Sequence, residues 1–235
     1  MVFNKEKVSL WTPPKVDFMK AAHQSQMVEA HRQLGFESTA DNMQYCGYQN
    51  PSEDFQRTHR CDVRYCRYCR HRPVSKYFKK LMTLHNNGRQ FNLMTLGVAV
   101  SAEQDGGSVK SACDLRSRLL NLAPFKKVEG ALCSIEISWK NVMFFTHIHV
   151  LYTGSLSDSR GKSPREKIQA WQRKHFSHDH YDDRPVGRTC KDLSDTLSYL
   201  YKGYKENEFP LDAVQSYVEA PKSSVLVTPR GCFRG

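Results

Sequence analysis

Two short segments constrain this chain more than any other part of it. Residues 133–140 read CSIEISWK and residues 144–152 read FFTHIHVLY, separated by Asn141, Val142 and Met143. In the first, Cys133, Ile135, Ile137 and Trp139 alternate with Ser134, Glu136, Ser138 and Lys140, the two-residue period of a β-strand. The pair reads as an antiparallel hairpin with strands over 130–139 and 143–152. One face is expected to be core and the other polar. A turn at Asn141–Val142 places Glu136 directly opposite His147, on the same side of the sheet. His149 shares that side, its Cβ about 7 Å from that of His147.

Two imidazoles and a carboxylate on one side of a sheet form a metal-ligand set. Ligand bonds of about 2.1 Å are within reach of this spacing. A borderline-to-hard cation, Mn²⁺ or Mg²⁺, accepts that set and keeps open positions. The plainer alternative is a pair of sheet histidines with ordinary hydrogen bonds.

The rest of the chain supplies what packs on such a hairpin. Residues 91–100, FNLMTLGVAV, are apolar almost throughout and read as a central strand buried on both faces. Helices are expected over 16–35, 73–85, 109–124, 163–175, 193–205 and 211–218, with strands near 185–190 and 224–228. Ser163-Pro164-Arg165-Glu166 is a capping box with proline in the first turn. The fold class is therefore α+β, a central antiparallel sheet with flanking helices. Three regions are expected: a helical segment over 1–40, a Cys-rich module and basic helix over 41–88, and the sheet-bearing core over 89–235.

The segment DLSDTLSYLYKGYK, 192–205, carries Asp195, Tyr199 and Lys202 at spacings of four and three, on one helical face. Leu193, Leu197 and Leu200 flank that face. A phenol ordinarily ionises near pH 10 (about 10 for tyrosine). A divalent cation and a lysine nearby make its phenolate accessible as a nucleophile. Tyr201 and Tyr204 compete for that role. A solvated polar face is the alternative.

The chain has eight cysteines, and Cys46, Cys61, Cys66 and Cys69 crowd together. Cys66-x-x-Cys69 is a metal knuckle, and four thiolates make a closed tetrahedral Zn²⁺ site. His59 or His71 could replace one cysteine. The loop between Cys46 and Cys61 is polar and would lack a core without metal. Cys113, Cys133, Cys190 and Cys232 are scattered and read as packing residues. Around the knuckle, Arg60, Arg64, Arg67, Arg70 and Arg72 interleave with Tyr65 and Tyr68. That pattern suits phosphate contact with base stacking. The formal charge of +11 favours a polyanionic partner, without choosing among DNA, RNA and anionic lipid.

Four blocks together resemble a known family, the rolling-circle plasmid replication initiators of the HUH endonuclease superfamily. FNLMTLGV, 91–98, is similar to the first motif, usually an F-L-T-L-T pattern. IEIS with THIHVLY is similar to the metal motif. DTLSYLYK, 195–202, is similar to the third motif, and RCDVRYCRYCRHR supplies the cysteine and arginine cluster. The resemblance spans residues 46–202. Asp195 stands where the family usually has glutamate, and Ser198 where it usually has lysine. The resemblance implies an HUH/RRM-like nuclease core with the two histidines on a middle strand. It implies that Tyr199 attacks single-stranded DNA at a hairpin origin and keeps the 5′ phosphate, freeing a 3′ hydroxyl for a polymerase. It assigns Glu136, His147 and His149 to the cation, Lys202 to phosphate or phenolate, and Asp195 to activating water.

Gly161-Lys162-Ser163 is not a nucleotide-binding loop, because the motif needs glycine at position 156 and Leu156 stands there. Unwinding is therefore expected from a host helicase, and extension from a host DNA polymerase. No run of eighteen apolar residues occurs, and Met1–Leu10 has no apolar stretch behind it, so a cytoplasmic protein without a membrane span or export signal is expected. Two other functions stay open: an HUH transposase or relaxase, and a non-catalytic zinc-containing nucleic-acid-binding module.

Overall fold

The computed structural model describes residues 27–46, 61–63, 66, 69, 72–101, 107–140, 143–156, 163–175, 186–200 and 227–234. Its centre is the expected hairpin, β2 (Gly130–Lys140) and β3 (Met143–Thr153), in the expected register, with Glu136 opposite His147. On its other side β3 pairs antiparallel with β1 (Phe91–Ser101). Two short strands close the edges, β4 (Val186–Thr189) against β1 and β5 (Val227–Gly231) against β2. Among the described residues the strand order is β4-β1-β3-β2-β5, with the histidine-bearing strand in the middle.

Among the described residues, β4 pairs with β1 from Asn92 to Thr95 and β5 with β2 from Gly130 to Ser134. The carbonyl of Gly97 accepts a hydrogen bond from the Gln172 amide at 3.1 Å.

Alternation along the strands builds two apolar faces. Met94, Leu96, Cys133, Ile135, Ile148 and Val150 lie on one. There they join residues of α4 (Gly107–Leu120), α5 (Ala123–Lys126), α6 (Pro164–His175), a helix over 27–33 (α1) and α2 (Glu37–Gln44). Phe91, Leu93, Leu132 and Leu151 lie on the other, under α3 (Arg72–Asn86) and α7 (Leu193–Leu200). Both faces are thus covered. Ser134 and Glu136 are only 1 % and 8 % exposed, so the face expected to be polar is a buried one that carries a few polar groups.

Several boundaries differ from the sequence expectation for local reasons. The helix expected over 109–124 ends at Leu120, and α5 starts anew after an extended Leu122. Pro124, in the first turn of α5, has no N–H to give and cannot sit in a helix interior. The last strand runs past Thr228 through Pro229, tolerated because β5 is an edge strand whose outer side needs no donor. The capping box closes as expected: Ser163 N–H donates to the Glu166 carboxylate at 2.8 Å, and Glu166 N–H to Ser163 Oγ at 3.2 Å. The helix expected over 211–218 lies outside the described residues, as does α7 beyond Leu200. No helix among the described residues is long and apolar enough to cross a membrane.

Gly231 fixes how β5 docks. Its φ is +60°, and a Cβ there would stand 2.2 Å from the carbonyl oxygen of Glu129. Gly231→Ala is therefore expected to destabilise the fold by roughly 2–3 kcal/mol. Chemical denaturation of the two proteins side by side measures it; an unchanged midpoint would show that β5 is not docked this way.

Candidate active site

The middle strand gathers the polar groups. His149 has no solvent exposure, with Thr95 of β1 opposite it on one side and Ser134 of β2 opposite it on the other. One row along, His147 lies between Gly97 and Glu136. The Glu136 carboxylate (Oε2) lies 2.9 Å from His149 Nε2, and Thr95 Oγ1 lies 3.0 Å from His149 Nδ1. A carboxylate this deeply buried is costly unless paired, and the imidazole supplies the pairing. His147 stands further off, its ring nearly parallel to that of His149 (18°) with centroids 6.1 Å apart. The hydroxyl of Ser134 is buried with no hydrogen-bond partner among the described residues.

Helix α7 brings the tyrosine to this group. Leu193, Leu197 and Leu200, spaced four and three, are all at most 2 % exposed and turn one side of the helix onto the sheet. Each buried leucine contributes about 1.5–3 kcal/mol. The start of the helix is pinned by Asp192. Its Oδ1 accepts from Asp195 N–H at 3.0 Å, and its carbonyl accepts from the Thr196 hydroxyl at 2.7 Å and the Cys190 thiol at 3.2 Å. Cys190 in turn donates its N–H to the carbonyl of Phe91 at 2.9 Å, tying the helix start to β1. As a result the Tyr199 ring stands edge-on against His149, centroids 5.0 Å apart at 72°. Tyr199 is half-buried, and Asp195, one turn earlier, is exposed.

The structure therefore places Glu136, His147, His149 and Tyr199 on one face, with Glu136 and His149 in contact, but does not draw Glu136, His147 and His149 into one close cluster. Lys202, Tyr201 and Tyr204 lie outside the described residues. So do Arg60, Arg64, Arg67 and Arg70; Arg72 is the first residue of α3. Thr95, Ser134 and Asp192 were not singled out from the sequence. For Asp192 a signal existed, an aspartate directly before an apolar helix. For Thr95 none did, whereas Ser134 stands opposite His149 in the same hairpin register that sets Glu136 against His147.

No protein-family model, curated protein or solved structure matches this chain.

The cysteine cluster is the second feature. Sγ of Cys46 lies 3.4 Å from that of Cys69 and 3.5 Å from that of Cys66, and Cys61 lies 3.7 Å from Cys69. All four sulfurs are within 4.8 Å of one another, and none is in a disulfide. Bonds of 2.3 Å in a tetrahedron put sulfurs roughly 3.8 Å apart. The quartet could thus hold a metal such as zinc with little rearrangement. Among the described residues it is the one set of three or more such side chains drawn this close together. Hydrogen bonds from Cys46 and then Cys61 draw the Cys69 thiol down to about 7, and those from Cys46, Cys61 and Cys69 hold Cys66 well below an ordinary thiol. Of the scattered cysteines, Cys113, Cys133 and Cys190 are buried as expected, and burial pushes the Cys133 thiol up to about 12. Cys232 is exposed, because it sits in the turn just after β5 with its neighbour Phe233 taking the buried place.

Metal analysis of the purified chain is expected to find one bound ion per quartet, and Cys66→Ser to lose it. Because thiolates are the ligands, protons compete for them and acid should release the ion. Full retention in Cys66→Ser would remove the quartet as the site.

Proposed function

We propose that this chain is a metal-dependent DNA nicking and joining enzyme with a tyrosine nucleophile, of the kind that initiates rolling-circle replication. The observation that carries the reading is the approach of the Tyr199 ring to a buried histidine already bonded to a carboxylate. In this reading Glu136, His147 and His149 hold a divalent cation, and the cysteine quartet holds a structural Zn²⁺.

Two features support the cation. Donors bound side by side at roughly 2.1 Å, with their bonds at right angles, stand about 3.0 Å apart. The Glu136 and His149 donor atoms are separated by 2.9 Å. The Ser134 hydroxyl, buried opposite His149 without a hydrogen-bond partner among the described residues, suits a water in the cation's outer shell. When bound, the cation supplies Lewis acidity that polarises a phosphodiester and stabilises its developing charge.

The chain's own residues do the rest. The Tyr199 phenol loses its proton to solvent as its oxygen attacks phosphorus, a phosphotyrosine bond forms, the bond to the 3′ oxygen breaks, and that oxygen leaves as a hydroxyl by taking one proton back from solvent. Asp195, exposed one turn before Tyr199, activates the water that later releases the 5′ phosphate. Lys202, three residues on, contacts phosphate, and the arginines around the cysteine knuckle follow the DNA backbone. Helicase and polymerase come from the host.

A second reading, a non-catalytic zinc-containing nucleic-acid-binding module, is favoured by one observation. Both ring nitrogens of His149 are already engaged within the protein, as in a structural polar cluster.

Incubation of single-stranded hairpin oligonucleotides with the chain and Mn²⁺ separates the two. Wild type is expected to form a covalent protein–DNA adduct that survives denaturation, and Tyr199→Phe none. An adduct that persists in Tyr199→Phe and vanishes in Tyr201→Phe would move the nucleophile; no cleavage of any hairpin would favour the binding module. Asp195→Ala is expected to nick normally while slowing hydrolytic release by about 10²-fold, the scale of a lost general base. Equal loss of both steps would exclude that role.

A further inference from the structure

Thr95 has no part in the reading above, yet it is bonded to the most buried group of the site. It lies opposite His149 on β1, and its hydroxyl stands 3.0 Å from Nδ1. The other ring nitrogen, Nε2, faces Glu136 at 2.9 Å. A ring with no solvent exposure and both nitrogens held cannot borrow a partner from water.

A neutral imidazole carries one N–H, and the partner on each side decides which nitrogen bears it. A nitrogen that gives its lone pair to a cation holds no proton. Ligation through Nε2 therefore obliges Nδ1 to carry the hydrogen and to find an acceptor. The Thr95 hydroxyl oxygen is in place to accept it. A hydroxyl also donates. In the metal-free state it can give its proton to Nδ1 while Nε2–H is donated to Glu136. The same side chain thus serves both states of the ring without moving.

We infer that Thr95 is a positioning residue for divalent-cation binding: its hydroxyl fixes the orientation of His149, with Nε2 turned toward Glu136, and accepts the Nδ1 hydrogen that ligation through Nε2 requires. This rests on the cation reading proposed above. Thr95 acts through His149 and touches neither cation nor DNA.

The test is Mn²⁺ titration of the full chain, followed by the electron paramagnetic resonance of free Mn²⁺. Thr95→Val keeps the shape and loses the hydroxyl, and is expected to bind Mn²⁺ about 10–100-fold more weakly, the scale of a lost outer-shell partner. Thr95→Ser keeps the hydroxyl and is expected to stay close to wild type. Thr95→Ala removes the same hydroxyl without strain and should match Thr95→Val, so a folding defect in either one does not decide the result. Nitrogen-15 spectra with Mg²⁺ should show His149 protonated at Nδ1 in wild type and Thr95→Ser. Wild-type affinity in Thr95→Val, or equal weakness in Thr95→Ser, overturns the role of Thr95 and leaves the cation reading standing. A wild-type chain that takes up no Mn²⁺ overturns both.

Discussion

Everything at the centre of this molecule depends on how β3 is paired on its two sides. A strand fixed in register by both neighbours has no freedom to slip, since a one-residue shift would turn every side chain to the opposite face. The pairing with β2 sets Glu136 against His147, and the pairing with β1 sets Thr95 against His149. The contact between Glu136 and His149 is diagonal and follows from the first of these. Removing either pairing would strand a carboxylate and an imidazole in an apolar interior, where each is costly alone.

How far the sequence could be read depended on the length of the connections. The β2–β3 turn is so short that composition and count alone set its register, and the shared face of Glu136, His147 and His149 was legible. The β1–β3 pairing is made across a connection carrying α4, α5 and β2, and nothing local fixes its register. Thr95 was invisible for that reason, although it stands in a segment recognised as a strand, whereas Ser134 shares the legible hairpin register and went unremarked because a serine opposite a histidine carries no signal of its own. The second side of β2 could be read only as polar, because alternation reports which residues share a face and leaves open what lies over it. Here α7 lies over it, and the leucines that bring it there were legible as its apolar side. Pro124 and Pro229 show the same limit from another direction. One ended a helix early and the other failed to end a strand, because the penalty for a missing N–H depends on whether a partner was waiting for it.

The two chemical centres sit within different packing clusters, which separates their energetics. The cysteine quartet is part of the buried cluster that includes α1, α2 and the Cys133–Ile135 side of the sheet, whereas Tyr199 packs with the cluster under α3 and α7. Buried thiols at 3.4–3.7 Å need a cation to ionise together, so a metal held there would add to the local order of that side. The histidine side is already held by α7 and its capped start, and its order does not require an ion. Loss of one centre therefore need not dissolve the other.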